Sequence, residues 1–516
     1  MMGRIILAIF AGLLALLLPP TLAAEPADVD AAARGVVRVV VVGSDGEQVF
    51  PISHGTGFAV TPTHIVTNAH VLGEVLEDDT LRVGLVPGDG DAAVYAKVLS
   101  VSEDNDLALL ELTGSLRLPP LTIATGPVGG SGEVSAVGYP MNVDKAQGLE
   151  IGDVLRSQPA VKSRGFLSGT RPSRAFDTIL HTAPIASGNS GGPLLDACGR
   201  VIGVNSFGTE GDGSGAEFFF AVSTRELLPF LRRNGIRAQV TGLPCRSLAE
   251  IEAEERERTA QAETAARDRQ TAANEAVRVR RERAQLEAEL AVMEERENHM
   301  AGAFLLALLA FAAGGAAWQL RGAEGGGRKA AIGTAVAAVA VVGAAATWLT
   351  RPGLQEIDAR VAAALTGSGS PLPDAGATGL AAAAGNFVCQ VDLSRSRVTS
   401  AATEDVDFAW TPDGCVNSRT QYGQAGDDRW QRVLLPQEED VATVMSFDPA
   451  RRALVADRYF LDRATARRLR GVQSGIEAPA CGVPDGAEQL GEAQRPLLDA
   501  LPDRPNERLV YRCDPG

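Results

Sequence analysis

The sequence predicts an all-β pair of small β-barrels in residues 25–246, followed by helical segments and a small disulfide-containing domain. Three observations support this fold class. Short β-branched runs such as "GVVRVVVVG" and "HIVTNAHV" recur early in the chain, turn residues separate them, and no helical run interrupts them before "TRELLPFLRRNG" at residues 224–235. Beyond this region the pattern changes to a charged segment and two uncharged apolar runs.

The N-terminus carries an export pattern. Arg4 precedes an apolar run that a pair of prolines ends, and small residues follow around Ala23, where a signal peptidase would cut. Residues 1–24 are therefore predicted to be a signal peptide. An uncleaved anchor helix is the alternative, although the apolar run is short for a membrane span.

Composition excludes some classes of function. With 45% hydrophobic and 22% charged residues, the chain has the composition of a globular protein that also contains apolar segments typical of membrane proteins. Its 48 basic and 64 acidic residues give a net charge of -16, which disfavours a nucleic-acid partner because phosphate contacts need clustered Lys and Arg. The 5 histidines are scattered and no C-x-x-C spacing occurs, so we expect no metal site and no cofactor.

Three short motifs follow one another within the predicted barrels. "TNAHV" places His70 at the end of a strand, "DNDLALLEL" places Asp106 at the start of another, and "GNSGGP" places Ser190 in a glycine-rich loop. A serine nucleophile needs a base to accept its proton, and the imidazole needs a carboxylate to fix its tautomer. The motifs therefore predict nucleophilic catalysis, whereas a serine that only completes a turn is the alternative.

With the "GTGF" strand, these motifs resemble the trypsin-like serine peptidases, and specifically their HtrA (Deg) branch, over residues of about 35–230. The resemblance implies a chymotrypsin-like fold and a serine endopeptidase acting on polypeptides. It makes Ser190 the nucleophile, His70 the general acid and base, and Asp106 the orienting carboxylate, with Asp104 as a rival for that last role. A catalytically silent binding or scaffold protein with the same fold is the alternative.

The same resemblance implies an oxyanion hole formed by the N–H groups of Gly188 and Ser190, with Asn189 shaping the loop. Its substrate-binding candidates are Pro184, Ser206, Phe207, Gly208 and Phe218. An uncharged Pro184 at the bottom of the primary specificity pocket implies cleavage after small or medium apolar residues. The nearby Glu217 leaves a preference for basic residues open.

Residues 247–300 are predicted to form one long charged helix, because the segment lacks Gly and Pro and is rich in Ala, Glu, Arg and Gln. Apolar residues follow a heptad pattern only near its end, at Leu286, Leu290 and Met293. A self-associating coiled coil, a solvated single helix and a helix packed on the rest of the chain remain open, and with them a homo-oligomer.

Two uncharged apolar segments, residues 301–320 and 330–350, are each long enough to be a transmembrane helix. The connector 321–329 carries Arg321, Arg328 and Lys329 against Glu324, so the positive-inside rule predicts that it is cytoplasmic. The flanking domains would then face the periplasm from a bacterial inner membrane. A buried alanine-rich hairpin in a soluble domain is the alternative.

After a linker at 351–385, residues 386–516 are predicted to be a small periplasmic recognition domain. The chain has 6 cysteines, an even set that favours disulfides in an exported protein. The shortest loops suggest the pairs Cys389–Cys415 and Cys481–Cys513, which leaves Cys198 with Cys245.

Overall fold

The computed structural model describes residues 26–90, 93–126, 132–172, 176–208, 218–321, 327–367, 384–400, 404–425 and 429–516. The predicted signal peptide 1–24, positions 322–326 of the connector and positions 368–383 of the linker lie outside these described residues. The chain divides into two units, Met1–Glu255 with Thr378–Gly516, and Arg256–Ala377. They are described separately.

The first barrel consists of six antiparallel strands. Their bounds are β1 (Val36–Ser44), β2 (Val49–Thr61), β3 (His64–Thr67), β4 (Arg82–Pro87), β5 (Val94–Ser102) and β6 (Leu107–Leu112). They close in the order β1-β2-β3-β6-β5-β4. Strand β1 is buried along nearly its whole length because Val37 and Val39 fill this barrel while Val36 packs with the core of the second.

The second barrel follows directly. Its strands are β7 (Ile123–Ala124), β8 (Glu133–Gly138), β9 (Val161–Pro172), β10 (Asp177–His181), β11 (Pro193–Leu195), β12 (Val201–Gly208), β13 (Phe219–Ser223) and β14 (Val240–Thr241). The order is β11-β8-β9-β10-β13-β12-β7-β14, and β11 also pairs with β12, which closes a ring of six strands. The predicted double β-barrel is therefore confirmed.

Short helices precede and connect the barrel strands. They are α1 (Pro26–Ala33), α2 (Gly73–Glu77), α3 (Met141–Ala146) and α4 (Thr224–Arg233), with 3-10 turns at His70–Leu72, Glu103–Asn105 and Ile151–Leu155. Helix α4 begins where Ser223 accepts a hydrogen bond from the Arg225 N–H at 3.1 Å. Its Leu227, Phe230 and Leu231 are buried in the core that both barrels share.

The second unit is helical. Helix α5 (Leu248–Arg321) begins in the first unit and runs without a break through the charged and the first apolar segment, and α6 (Gly327–Leu349) and α7 (Glu356–Gly367) follow. The apolar part of α5 and all of α6 are long and apolar enough to cross a membrane. The two helices approach closely through small residues, since a Cβ added to Gly333 would lie 3.0 Å from that of Ala317.

The C-terminal domain is one antiparallel sheet with two helices. The strands are β15 (Gly385–Val391), β16 (Val406–Trp410), β17 (Cys415–Val416), β18 (Thr420–Gln421), β19 (Gly423–Ala425), β20 (Arg429–Leu434), β21 (Val441–Asp448), β22 (Ala453–Phe460) and β23 (Glu507–Pro515). Their order is β18-β17-β16-β15-β23-β22-β21-β20-β19. The helices are α8 (Arg463–Ser474) and α9 (Gly486–Asp499).

All six cysteines form disulfides, and the C-terminal pairing differs from the predicted one. The structure joins Cys198 to Cys245, Cys389 to Cys513 and Cys415 to Cys481. The predicted pairs Cys389–Cys415 and Cys481–Cys513 are wrong. Strands β15 and β23 are neighbours in the sheet and place Cys389 directly opposite Cys513, so strand register rather than loop length decides the partner.

A buried polar network attaches the C-terminal domain to the barrels. Arg397, which is 2% exposed, donates to the carboxylate of Asp28 in α1, to the Asn506 carbonyl oxygen and, at 2.9 Å, to the Arg246 carbonyl oxygen. The Asn506 amide donates to the other oxygen of Asp28 at 2.9 Å. The Asp28 carboxylate is thus satisfied by residues that lie more than half the chain away in sequence.

Candidate active site

His70 and Asp106 meet at the ends of two paired strands of the first barrel. His70 follows β3 and Asp106 precedes β6, and these strands are neighbours. The Nδ1 atom of His70 lies 3.0 Å from both carboxylate oxygens, and its backbone N–H donates to Oδ1 at 3.1 Å. A proton held on Nδ1 leaves Nε2 as the basic ring nitrogen. The rival Asp104 is exposed and lies in the preceding 3-10 turn.

The Asp106 carboxylate has a second donor, Ser206. Its hydroxyl donates to Oδ2, and the Asn68 amide holds the Asp106 carbonyl oxygen at 2.8 Å. Burial alone raises the pKa of the Asp106 carboxyl, but the hydrogen bonds from His70 and Ser206 outweigh it, so the pKa lies below its usual value. Asp106 is therefore an anion at neutral pH.

Ser190 lies in the loop between β10 and β11. Its Oγ donates to the carbonyl oxygen of Ser206 at 3.0 Å. Both the hydroxyl and the carbonyl of Ser206 thus belong to the site, whereas the sequence predicts only substrate contact for this residue. The polar pair of Asn205 and Ser206 after the apolar start of β12 is the available signal.

Thr56 of β2 donates two hydrogen bonds to residues 186–190, which we call the oxyanion loop. The Thr56 hydroxyl donates to the Gly188 carbonyl oxygen at 2.6 Å, and its N–H donates to that of Ser190 at 2.8 Å. The Asn189 N–H donates to Ala186 at 2.9 Å, whereas within the described part of the chain the N–H groups of Gly188 and Ser190 have no backbone acceptor. The predicted oxyanion hole requires these two N–H groups to be available in this way.

Glycine is required at position 188 because its φ is +98° and a Cβ there would lie 2.2 Å from the Tyr139 carbonyl oxygen. Gly191 is constrained similarly, with a φ of +86° and the Thr56 carbonyl oxygen 2.2 Å from a Cβ position.

The predicted substrate-binding residues lie on two segments near the loop. Pro184 is exposed, and Phe207 is 45% exposed and stacks on Phe220 with ring centroids 4.8 Å apart. Gly208 pairs with Phe219, whose ring carbon would lie 2.9 Å from a Cβ at Gly208.

The structure thus brings Phe219 to Gly208, while the predicted Phe218 is half-buried just before β13. His181 is buried with its ring centroid 6.0 Å from that of Phe219, and burial lowers its pKa to about 4. Glu217 lies outside the described residues. Among the residues that are described, no group of three His, Cys, Asp or Glu is placed to hold a metal ion.

The Ser206 hydroxyl should stabilise the fold in a pH-dependent way. Because the pKa of Asp106 is depressed, the ionised carboxylate contributes to the free energy of unfolding at pH values above the pKa of the unfolded state. This contribution is lost as the pH falls through the pKa of Asp106 in the folded protein. We expect Ser206→Ala to cost about 1.5 to 3 kcal/mol at pH 7 and progressively less in acid, measured by denaturant unfolding across pH.

Ser135→Ala is the matched control for this prediction. Ser135 is equally buried, and its hydroxyl has no hydrogen-bond partner among the described residues. Its replacement should have a smaller effect that does not change with pH. A pH-independent loss in Ser206→Ala would contradict the prediction.

Two closed barrels with a hydrogen-bonded pair of His70 and Asp106, and with Ser190 in a glycine-rich loop, are characteristic of one class, the trypsin-like serine peptidases. Residues 55–204 match the family model described as trypsin-like peptidase domain. This part of the chain is a trypsin-like serine peptidase domain, and its curated relatives include HtrA proteases.

Three relatives illustrate the extent of the similarity. Serine protease HTRA2, mitochondrial, of Bos taurus is 34% identical over 210 residues, covering 40% of this chain and 42% of that protein. Protease Do-like 5, chloroplastic, of Arabidopsis thaliana is 35% identical over 184 residues, covering 33% and 54%. Serine protease Rv3671c of Mycobacterium tuberculosis is 31% identical over 185 residues, covering 36% and 43%. The chain spans about half the length, or less, of these proteins.

Among solved structures, the active form of the Rv3671c protease from M. tuberculosis is 25% identical. The match covers 43% of this chain and 92% of that one, with a TM-score of 0.32.

Proposed function

We propose that this protein is a membrane-anchored serine endopeptidase that hydrolyses polypeptides with Ser190, His70 and Asp106. The observation that carries the proposal is the hydrogen-bonded pair of His70 and Asp106, in which Nδ1 lies 3.0 Å from both carboxylate oxygens and to which Ser206 also donates. This arrangement presents a hydroxyl, a base and an ionised carboxylate in one site, beside the N–H groups of Gly188 and Ser190, for which the described residues provide no backbone acceptor.

In the proposed reaction, the Ser190 hydroxyl rotates about χ1 toward Nε2 of His70, which takes its proton as Oγ attacks the substrate carbonyl carbon. Asp106 stabilises the resulting imidazolium. The N–H groups of Gly188 and Ser190 stabilise the oxyanion until it collapses, His70 protonates the leaving amine, and water then hydrolyses the acyl-enzyme by the same route. Catalytic hydrogen bonds are often longer in unliganded sites than in complexes. The bond from Ser190 to the Ser206 carbonyl oxygen is therefore compatible with the proposed reaction.

We further propose cleavage after small or medium apolar residues. Pro184 contributes no charge, and the Phe219 ring lies against Gly208, where an added Cβ would meet it at 2.9 Å. Phe207 and Phe220 add an apolar wall. A preference for basic residues remains the alternative through Glu217.

The proposed location is the bacterial inner membrane, with the peptidase and C-terminal domains in the periplasm. The apolar parts of α5 and α6 supply the anchor, and the basic connector favours a cytoplasmic turn between them. Three disulfides suit an oxidising compartment. The charged part of α5 exposes Leu286, Leu290 and Met293, which supports the proposal of self-association through residues 247–300.

A catalytically silent binding protein is the second candidate. One observation favours it: the Ser190 hydroxyl is bonded to the Ser206 carbonyl oxygen rather than presented to the ring of His70.

A membrane-impermeant fluorophosphonate probe separates these candidates, because it reacts only with a serine that a base and an oxyanion hole activate. Intact spheroplasts carrying the full-length protein should be labelled, and Ser190→Ala should not be. Peptide-library cleavage by the purified protein should then reveal an apolar residue before the cut. Labelling only after permeabilisation would contradict the proposed orientation, and no labelling under either condition would favour the silent binding protein.

A further inference from the structure

A buried group of charged and polar side chains, which we call the Arg38 cluster, consists of Arg38 on β1, His54 on β2 and Asp144 on α3. Arg38 is 2% exposed, and its Nη2 lies 3.0 Å from both oxygens of Asp144. The Nε2 atom of His54 lies 3.7 Å from Asp144 Oδ2, and the Arg38 guanidinium covers the Tyr139 ring at 4.7 Å. The cluster thus joins two strands of the first barrel to a helix that follows β8.

The cluster directly contacts the segment on which the oxyanion loop packs. His54 Nε2 lies 3.2 Å from the Tyr139 carbonyl oxygen, and the Met141 N–H donates to the Ser187 carbonyl oxygen at 2.8 Å. A Cβ at Gly188 would meet Tyr139 O at 2.2 Å and His54 Nε2 at 2.9 Å. Any shift of Tyr139 or of His54 would therefore displace Gly188, the residue that supplies one oxyanion donor.

His54 is held as a neutral donor in this environment. Burial lowers its pKa, and the positive charge of Arg38 lowers it further against the opposing effects of the Tyr139 carbonyl and Asp144. The neutral ring donates Nε2–H to Tyr139 O, because a carbonyl oxygen can only accept.

A buried ion pair contributes little net stability, since desolvation offsets the attraction between its charges. What the pair between Arg38 and Asp144 does provide is a fixed position for α3 relative to β1. Asp144 lies in α3, and its N–H donates to Pro140 O at 3.2 Å, which closes the first turn of the helix. Its carboxylate bonds Arg38, so the pair connects that turn, which contains Met141, to β1. Thr56 holds the same loop from β2 through Gly188 and Ser190.

We propose that the Arg38 cluster positions the oxyanion loop through Tyr139 and Met141. It holds the loop in the conformation in which the N–H groups of Gly188 and Ser190 remain available to the substrate. The inference rests on the proposed function, because it concerns the donors that stabilise the transition state. Asp144 and His54 are positioning residues and do not touch the substrate.

The test compares Asp144→Asn with Asp196→Asn in the full-length protein in membranes or detergent. Asp196 forms a second ion pair of the barrel domain, with Arg200 Nε at 2.8 Å, in the turn after β11. His54→Leu is a second variant that removes the donor to Tyr139 but keeps the pair between Arg38 and Asp144, in case Asp144→Asn does not fold. Each protein is measured for its fluorophosphonate labelling rate and for amide hydrogen exchange of the peptide spanning residues 186–190.

We expect labelling to slow roughly 10- to 100-fold in Asp144→Asn and in His54→Leu, with faster exchange in the loop peptide, because small displacements of a catalytic group have effects of this size. Asp196→Asn should change neither quantity. Wild-type labelling rates and unchanged exchange in a folded cluster variant would overturn the inference. If the wild-type protein is not labelled, the proposed function fails, while unchanged loop exchange would still overturn the positioning role by itself.

Discussion

Replacement of Ser190 by alanine should lower peptide hydrolysis by roughly 10⁵- to 10⁶-fold, since removal of the nucleophile from a serine peptidase triad has effects of this order. Asp106→Asn should lower it by roughly 10⁴-fold, because an amide cannot hold the imidazole of His70 in the required tautomer. Both are measured as kcat/KM on a peptide that the wild-type protein cleaves.

Ser168→Ala serves as the matched control, because Ser168 is exposed on β9 and the exchange is chemically identical. It should leave kcat/KM within a factor of about two, as surface exchanges have small effects. Residual hydrolysis near the wild-type rate in Ser190→Ala would contradict the assignment of the nucleophile.

Replacement of Arg397 by leucine should destabilise the protein by about 3 to 5 kcal/mol, because Asp28 would be left as a buried charge without its cation. Trp410 and Trp430 are buried in the C-terminal core, so loss of their fluorescence signal reports unfolding of that domain. The corresponding shift in Tm is roughly 10 °C for a domain of this kind.

Arg451→Leu is the control for this second prediction. Arg451 pairs with Asp448 at 3.1 Å, but its side chain is 78% exposed. Exposed pairs contribute about 1 kcal/mol or less. Equal destabilisation by the two leucine variants would show that burial of the Asp28 carboxylate is not the cause.

The parts of the molecule that the sequence predicts well depend on local patterns. The strands of both barrels and helix α4 follow alternation and turn residues, and His70, Asp106 and Ser190 each lie in a compact motif. The structure adds how the first two meet, through strands β3 and β6.

Other contacts depend on closure of the fold and have no local signature. Arg38 interrupts an apolar strand, and nothing near it in sequence indicates that its partner Asp144 comes from the other side of the interface between the barrels. The bond between Ser206 and Asp106 likewise joins residues from different barrels. The two disulfides of the C-terminal domain differ from the predicted pairs for the same reason, since sheet register is a property of the whole domain, whereas the predicted pair Cys198–Cys245 is present.

The boundary at residue 300 marks a change in composition and not in backbone structure. Residues 247–300 and 301–320 differ in charge, yet α5 runs through both, because helical hydrogen bonds join each residue to its neighbour one turn away whatever the side chains are.

The bond between Cys389 and Cys513 turns almost the entire C-terminal domain into one covalent ring, entered and left through adjacent strands β15 and β23. A single backbone cut within that ring, by this peptidase or by another, would release nothing. The two fragments would remain joined and would separate on a gel only after reduction, so the domain would stay covalently tethered to the rest of the chain after a nick.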